Sequence, residues 1–229
     1  MSMIEVKNLT KIYGKKDTTF TALDEINLKI ENKSTVSIIG KSGSGKSTLM
    51  HIMSGLDEPT SGTVKIDGID IFAMKEKKID AFRSSKMSFV FQSFFVEANA
   101  TCYQNVLLPL EIAKVGITKR KQMVLDALKA VDLEDKVNAK ASTLSGGQKQ
   151  RLAVARAIVN KPSILFADEP TGNLDSINGD KIMKLLFGLN KSLGCTLIIV
   201  THDPDIAKHT SMRILIKDGQ IEGIEKGRK

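Results

Sequence analysis

Residues 3–13 and 23–30 alternate apolar and polar side chains, the period-two pattern of strands with one buried face. Between them, residues 14–21 are polar and predict a turn. A short β-branched run over 35–39 predicts a buried strand that ends at Gly40, and a helix is predicted over 46–53. Residues 62–71 predict a hairpin turning at Asp67-Gly68, because Asp-Gly supplies the two left-handed positions of a type I′ turn. Residues 87–91 predict another buried strand.

From about residue 93 to 161 strand patterns vanish and helical periodicity replaces them, as at Val124, Leu125, Leu128 and Val131. Strand patterns return at 163–167, 196–200 and 213–216, with a helix over 180–193 and a last turn at Asp218-Gly219. Strand–helix alternation predicts a mainly parallel sheet, and the early meander an antiparallel flank. The expected organisation is one α/β domain over 1–229. Its core spans about 1–92 and 162–229, and a helical subdomain is inserted over about 93–161.

A chain of 229 residues with 41% hydrophobic and 26% charged residues can bury a core of this kind. No apolar run approaches the roughly 18 residues of a membrane span, and the first residues carry no signal-peptide pattern. Cys102 and Cys195 are isolated, with no ligand partner at metal spacing, so the cytosol is the expected compartment. The net charge of +8 is concentrated at 75–78, at 114–121 and at the C-terminus. It reads either as a solvated surface or as attraction to an anionic membrane or nucleic acid. No RNA-binding signature accompanies it, and no nucleic-acid partner is expected.

Gly40-Lys41-Ser42-Gly43-Ser44-Gly45-Lys46-Ser47-Thr48 contains a complete G-x-x-x-x-G-K-[ST] loop between a predicted strand and helix. Its glycines let backbone N–H groups face phosphate oxygens, Lys46 reaches the β/γ-phosphates, and Ser47 supplies a hydroxyl for Mg²⁺. Ile164 to Ala167 form an apolar strand that delivers Asp168 and Glu169 at its end; Asp168 suits the Mg²⁺ shell. The same acidic pair could also cap the next element. Downstream stands Leu144-Ser145-Gly146-Gly147-Gln148, a second glycine-rich element, where Ser145 can cap a helix running on to Ile158.

With this pentapeptide beside the phosphate loop, the chain resembles the ATP-binding-cassette (ABC) ATPases along its whole length, and the resemblance implies their P-loop fold. It implies ATP and Mg²⁺ as cofactors and Glu169 as the carboxylate that polarises the attacking water. Gln92, after the strand ending at Phe91, is the implied glutamine contacting Mg²⁺ or its water, against a plain surface glutamine. His202, in Thr201-His202-Asp203, is the implied switch histidine at the γ-phosphate. Tyr13 is the implied aromatic stacking on adenine, against a core tyrosine.

The family's signature loop, here 144–148, covers ATP bound in the other protomer, so the resemblance implies a two-fold homodimer crossed by Asn173-Leu174-Asp175. Phe82-Arg83, Val90 to Phe94, Asn105 to Pro109 and Asp168 to Asp175 look most like one branch. That branch is typified by macrolide exporters (MacB), lipoprotein-releasing ATPases (LolD) and cell-division ATPases (FtsE), with bacitracin-type peptide-resistance ATPases close. It implies an integral-membrane permease partner and a peripheral place on the cytoplasmic face of the membrane. Alternatives are a soluble ABC-type ATPase acting on nucleic acid or ribosomes, and a P-loop kinase. One stretch departs from the branch: Phe95-Val96-Glu97-Ala98-Asn99 stands where an apolar Leu-Leu-Pro segment is usual, in the expected permease-docking region. Arg83 serves the permease or signature helix, or forms a surface salt bridge.

Overall fold

Residues 2–15 and 18–227 are described by the structure, a computed structural model. Residues 16–17 of the expected turn, and Arg228 and Lys229 of the C-terminal basic group, lie outside the described residues. The chain divides into two compact units. The first comprises Met1–Arg83 and Thr196–Lys229, the second Ser84–Cys195.

In the first unit β1 (Ser2–Tyr13) lies between β2 (Phe20–Glu31) and β4 (Ser61–Ile66), antiparallel to both, and β5 (Ile69–Asp70) closes this flank. The period-two alternation is broken by bulges, with Asn8 and Glu25 in left-handed backbone. Asn27 Oδ1 accepts the Asn8 N–H at 3.0 Å, so the bulge keeps that backbone donor paired. The Asp67-Gly68 turn joins β4 to β5 with φ of 50° and 80°, as a type I′ turn requires.

The same unit holds the parallel strands that carry the phosphate loop. β3 (Thr35–Ile39) pairs in parallel with β8 (Thr196–Thr201) and with β9 (Met212–Lys217). β10 (Gln220–Lys226) returns antiparallel on β9 through the expected Asp218-Gly219 turn, also left-handed at both residues. α1 (Lys46–Met53) follows the loop, and its Leu49, Met50, Ile52 and Met53 are fully buried. Burial of each such side chain contributes roughly 1.5–3 kcal/mol. α7 (Pro204–Lys208), which the sequence pattern does not predict, starts at an Asp203 cap and carries Pro204 in its first turn.

In the second unit β6 (Met87–Phe91) and β7 (Ile164–Asp168) pair in parallel. With them are α3 (Cys102–Ile112), α4 (Ile117–Lys129), α5 (Gly146–Ile158) and α6 (Ser176–Leu193). Val124, Leu128 and Val131 are fully buried, as the helical period predicts. This unit is wider than the 93–161 stretch, because β6, β7 and α6 cluster with the helices. α2 (Glu76–Lys86) is a further unpredicted helix, with no fully buried position to give it an apolar stripe.

Both cysteines are free and buried, and burial raises each thiol above the ordinary cysteine range. The native protein is therefore expected to react with Ellman's reagent far more slowly than the guanidinium-unfolded chain. Prompt labelling of two thiols in native protein would contradict this packing.

Candidate functional site

The loop from Gly40 to Ser47 is shaped by close backbone approaches. A Cβ on Gly40 would collide with the Ile216 carbonyl oxygen and come within 2.6 Å of Ser44 Oγ. Gly45 has φ 101°, and a Cβ there would meet the Ala22 oxygen at 2.6 Å. Both positions therefore require glycine. Gly45 is also the N-cap of α1 and provides no side-chain cap, so the first N–H groups of that helix need other acceptors.

Lys46, only 8% exposed, extends back beneath the loop and donates to the carbonyls of Gly40 (2.9 Å) and Lys41 (2.8 Å). Ser44 Oγ is buried with no hydrogen-bond partner. An uncapped helix start, a fixed ammonium and an unpartnered hydroxyl form a cradle chemically suited to a phosphate chain. A cavity of about 640 Å³ opens beside it, lined by Gly40 to Ser44, His202, Leu215 to Asp218 and Glu222. His202 is exposed on that wall, next to the phosphate loop.

At the end of β1, Tyr13 is partly exposed, and its phenol donates to Asp57 Oδ2 at 2.5 Å. The Thr48 hydroxyl also hydrogen-bonds it, which ties this ring to the helix after the loop. Burial first, then the Asp57 contact, raise the phenol above its usual range, so it stays a donor. Lys11 Nζ stands 4.7 Å from the ring centroid and also bonds Asp57 at 2.7 Å. Tyr13 is thus held as a platform rather than packed as a core tyrosine.

In the second unit, β7 is buried through Ala167, and Asp168 and Glu169 emerge half-buried at its end. Glu169 has φ 45°, strained for a non-glycine residue and more so before Pro170. The Gly172 N–H closes the turn on the Glu169 oxygen at 3.0 Å. Gln92 and Asn173 are joined reciprocally. Asn173 Nδ2 donates to the Gln92 oxygen at 3.1 Å, and Gln92 Nε2 to Asn173 Oδ1 at 3.4 Å. A Cβ on Gly172 would lie 2.7 Å from Gln92 Nε2.

The pentapeptide opens α5. Leu144 is buried, and Ser145 caps the helix by accepting the Gln148 N–H at 3.3 Å. Gln148 Oε1 accepts the Ser145 N–H at 2.9 Å, completing a capping box. This cap leaves the N–H groups of Gly146 and Gly147 for other acceptors. Gly146 sits near Leu174, and a Cβ on Gly147 would lie 3.0 Å from Asn178 Oδ1. Asp175 caps α6, and backbone and side-chain bonds from Asn178 hold its carboxyl below the usual range.

The first unit therefore gathers the phosphate loop, Thr48 and Tyr13, with His202 on the cavity wall. The second gathers Gln92 with the turn after Glu169, and the pentapeptide with Leu174. Arg83 takes the structural alternative: it donates to the Gly55 oxygen at 2.6 Å and pairs with Asp80 at 2.7 Å. The departing stretch is held from both sides. Arg156 donates to the carbonyls of Phe94 (3.1 Å) and Phe95 (2.5 Å), and the Glu97 N–H to Asn105 Oδ1 (2.8 Å). Phe95 is left-handed and 67% exposed. Sequence reasoning missed Asp57, Lys11, Asn178 and Gln150, all polar residues whose partners are distant in the chain or set by the turn geometry.

Residues 23–172 match the ABC transporter family. The lipoprotein-releasing system ATP-binding protein LolD of Leptospira interrogans is 42% identical over 225 residues, 98% of this chain and 92% of that protein. The dimeric structure of MJ0796, an ABC transporter cassette, aligns with a TM-score of 0.90 and 43% identity, over 99% of this chain and all of the other. A post-hydrolysis dimer of the MJ0796 cassette with ADP and Pi, 42% identical over the same spans, gives 0.89. The organism of MJ0796 is Methanocaldococcus jannaschii. The chain belongs to the ABC transporter family, as an ATP-binding and ATP-hydrolysing subunit.

Proposed function

We propose that two copies of this chain close head-to-tail on two ATP molecules and drive an integral-membrane permease of the MacB/LolD/FtsE type. The observation that carries this reading is the pair of helix starts. α1 begins uncapped over a phosphate cradle, while α5 begins with a capping box that still leaves the Gly146 and Gly147 amides to bind an anion. One chain needs only one γ-phosphate cradle, so the second helix start serves the ATP of a partner protomer. Leu144, Ser145, Gly146, Gly147 and Gln148 then act in trans, and Asn173, Leu174 and Asp175 line the interface. The dimeric cassette structures of MJ0796 support the arrangement.

In this reading Tyr13 stacks on adenine, Gly40 to Thr48 hold the phosphates, and Lys46 neutralises charge on the β/γ-phosphates. Ser47, Asp168 and Gln92 offer hard oxygen donors that suit Mg²⁺, which supplies further neutralisation of the phosphate charge. Glu169 orients the attacking water and takes its proton as the bond from the γ-phosphorus to the bridging oxygen breaks, giving ADP and phosphate. His202 donates to the γ-phosphate. No helix among the described residues is long and apolar enough to cross a membrane. In this reading the chain meets the membrane peripherally, through the permease. Residues 93–161 serve as the helical subdomain that meets it, and the relatives named LolD support lipoprotein release or export as the work done.

Glu169→Gln is expected to bind ATP, lose at least about a hundredfold of its hydrolysis, and accumulate as a dimer in MgATP by size-exclusion chromatography with light scattering. A monomeric Glu169→Gln protein at saturating MgATP would overturn the sandwich. Gly172→Ala should push Gln92 aside and lower kcat about tenfold with little change in KM for ATP. An unchanged kcat would separate Gly172 from the chemistry. Phe95→Ala and Glu97→Ala should abolish permease-stimulated ATPase in proteoliposomes while sparing the basal rate, and collapse of the basal rate would sink the docking assignment.

A further inference from the structure

Gln150 lies on α5 two residues beyond the pentapeptide, on the helix face turned into the protein, and is fully buried. Its Nε2 donates to the Phe91 oxygen at 3.2 Å and to the Pro170 oxygen at 2.7 Å. These carbonyls belong to the residue before Gln92 and the residue after Glu169. One amide therefore fastens both loops that carry the proposed hydrolytic side chains, at one residue's remove from each.

The fastened backbone is strained. Glu169 is left-handed before a proline, and such a conformation persists only where its surroundings over-determine it. The Gly172 N–H pins one side of this turn, and Gln150 pins Pro170 on the other. The amide does this at a cost, because Gln150 Oε1 is buried with no partner. A buried unsatisfied acceptor loses its hydration without return, whereas the amide donor of the same side chain satisfies the Phe91 and Pro170 carbonyls. What Gln150 secures by this arrangement is the placement of those two carbonyls.

We propose that Gln150 is a positioning residue for ATP hydrolysis, which transmits the seating of the pentapeptide helix to the backbone on either side of Gln92 and Glu169. The proposal rests on the reading of Gln92 and Glu169 as the hydrolytic pair. In a closed dimer, α5 is seated by the partner's ATP, and Gln150 hands that seating to the protomer's own hydrolytic loops. Each site would then hydrolyse in proportion to how well the other is filled. Arg156, six residues nearer the end of the same helix, holds the Phe94 and Phe95 carbonyls in a parallel way.

The test is a double-variant cycle in the full chain with Gln150→Met, Gln92→Ala and the combination, measured by steady-state ATPase and by ATP affinity from displacement of a fluorescent ATP analogue. Gln150→Met should lower kcat about tenfold, with KM and ATP affinity within about twofold. The combination should be within about twofold of Gln92→Ala alone, since both act on one unit. In a Glu169→Gln background, Gln150→Met should still dimerise on MgATP. An unchanged kcat, a loss confined to KM, or losses that multiply would overturn the proposal. Should Gln150→Met fail to fold, Gln150→Asn retains the amide but shortens its reach, and the same outcomes decide. Full activity in Gln92→Ala and Glu169→Gln would instead remove the reading beneath it.

Discussion

The first turn of an α-helix carries backbone donors that no residue of the helix can satisfy, and this chain treats that constraint in two opposite ways. α3, α5, α6 and α7 begin with Thr101, Ser145, Asp175 and Asp203, each of which accepts a backbone N–H with its side chain. α1 begins with Gly45, which has no side chain to offer. The left-handed glycine is forced by the Ala22 carbonyl beside it, so the missing cap is enforced by packing as well as by sequence. What the helix lacks locally, a bound phosphate would supply, with the helix dipole in its favour.

The elements around that helix were legible where one physical signal acts alone. Parallel strands such as Ile164–Asp168 read as apolar runs because both faces are covered. Asp67-Gly68 and Asp218-Gly219 read as tight turns because few residue pairs tolerate two left-handed positions in succession. α2 escaped because its stripe is weak: it has no fully buried residue, and Ile79 and Arg83 both reach Gly55 from it. Of the site, the phosphate loop and pentapeptide were legible because their spacing is itself the chemistry. Gln150 was not, since a glutamine between Lys149 and Arg151 reads as part of a solvated face. Its burial is decided by carbonyls of Phe91 and Pro170, far away in sequence.

Within the second unit the proposed functional loops are bonded to one another rather than merely close. Gln92 and Asn173 exchange hydrogen bonds, Gly172 leaves room for that exchange, and Gly147 abuts the asparagine that steadies the Asp175 cap. Glycines at 147 and 172 serve here as spacers for partner amides, not as hinges, since neither has a positive φ. The strained residue, Glu169, sits where these ties converge. Strain is tolerable at such a point because relaxing it would require several bonds to break together.

This wiring bears on why a kinase reading fails on physical grounds. A kinase brings a phosphoryl acceptor to the γ-phosphate, so its second anchoring element belongs to a site for that acceptor. The pentapeptide here presents two glycine amides and a serine hydroxyl, which are groups for an anion rather than for an alcohol or amine. The serine oxygen already accepts the Gln148 N–H, and its proton remains to be donated to a ligand. A surface so rich in donors suits an anion better than a nucleophile that must give up a proton. In the proposed sandwich that anion is a nucleotide phosphate, and the exposed position of Ser145 and Gly146 suits one that arrives bound to a second molecule.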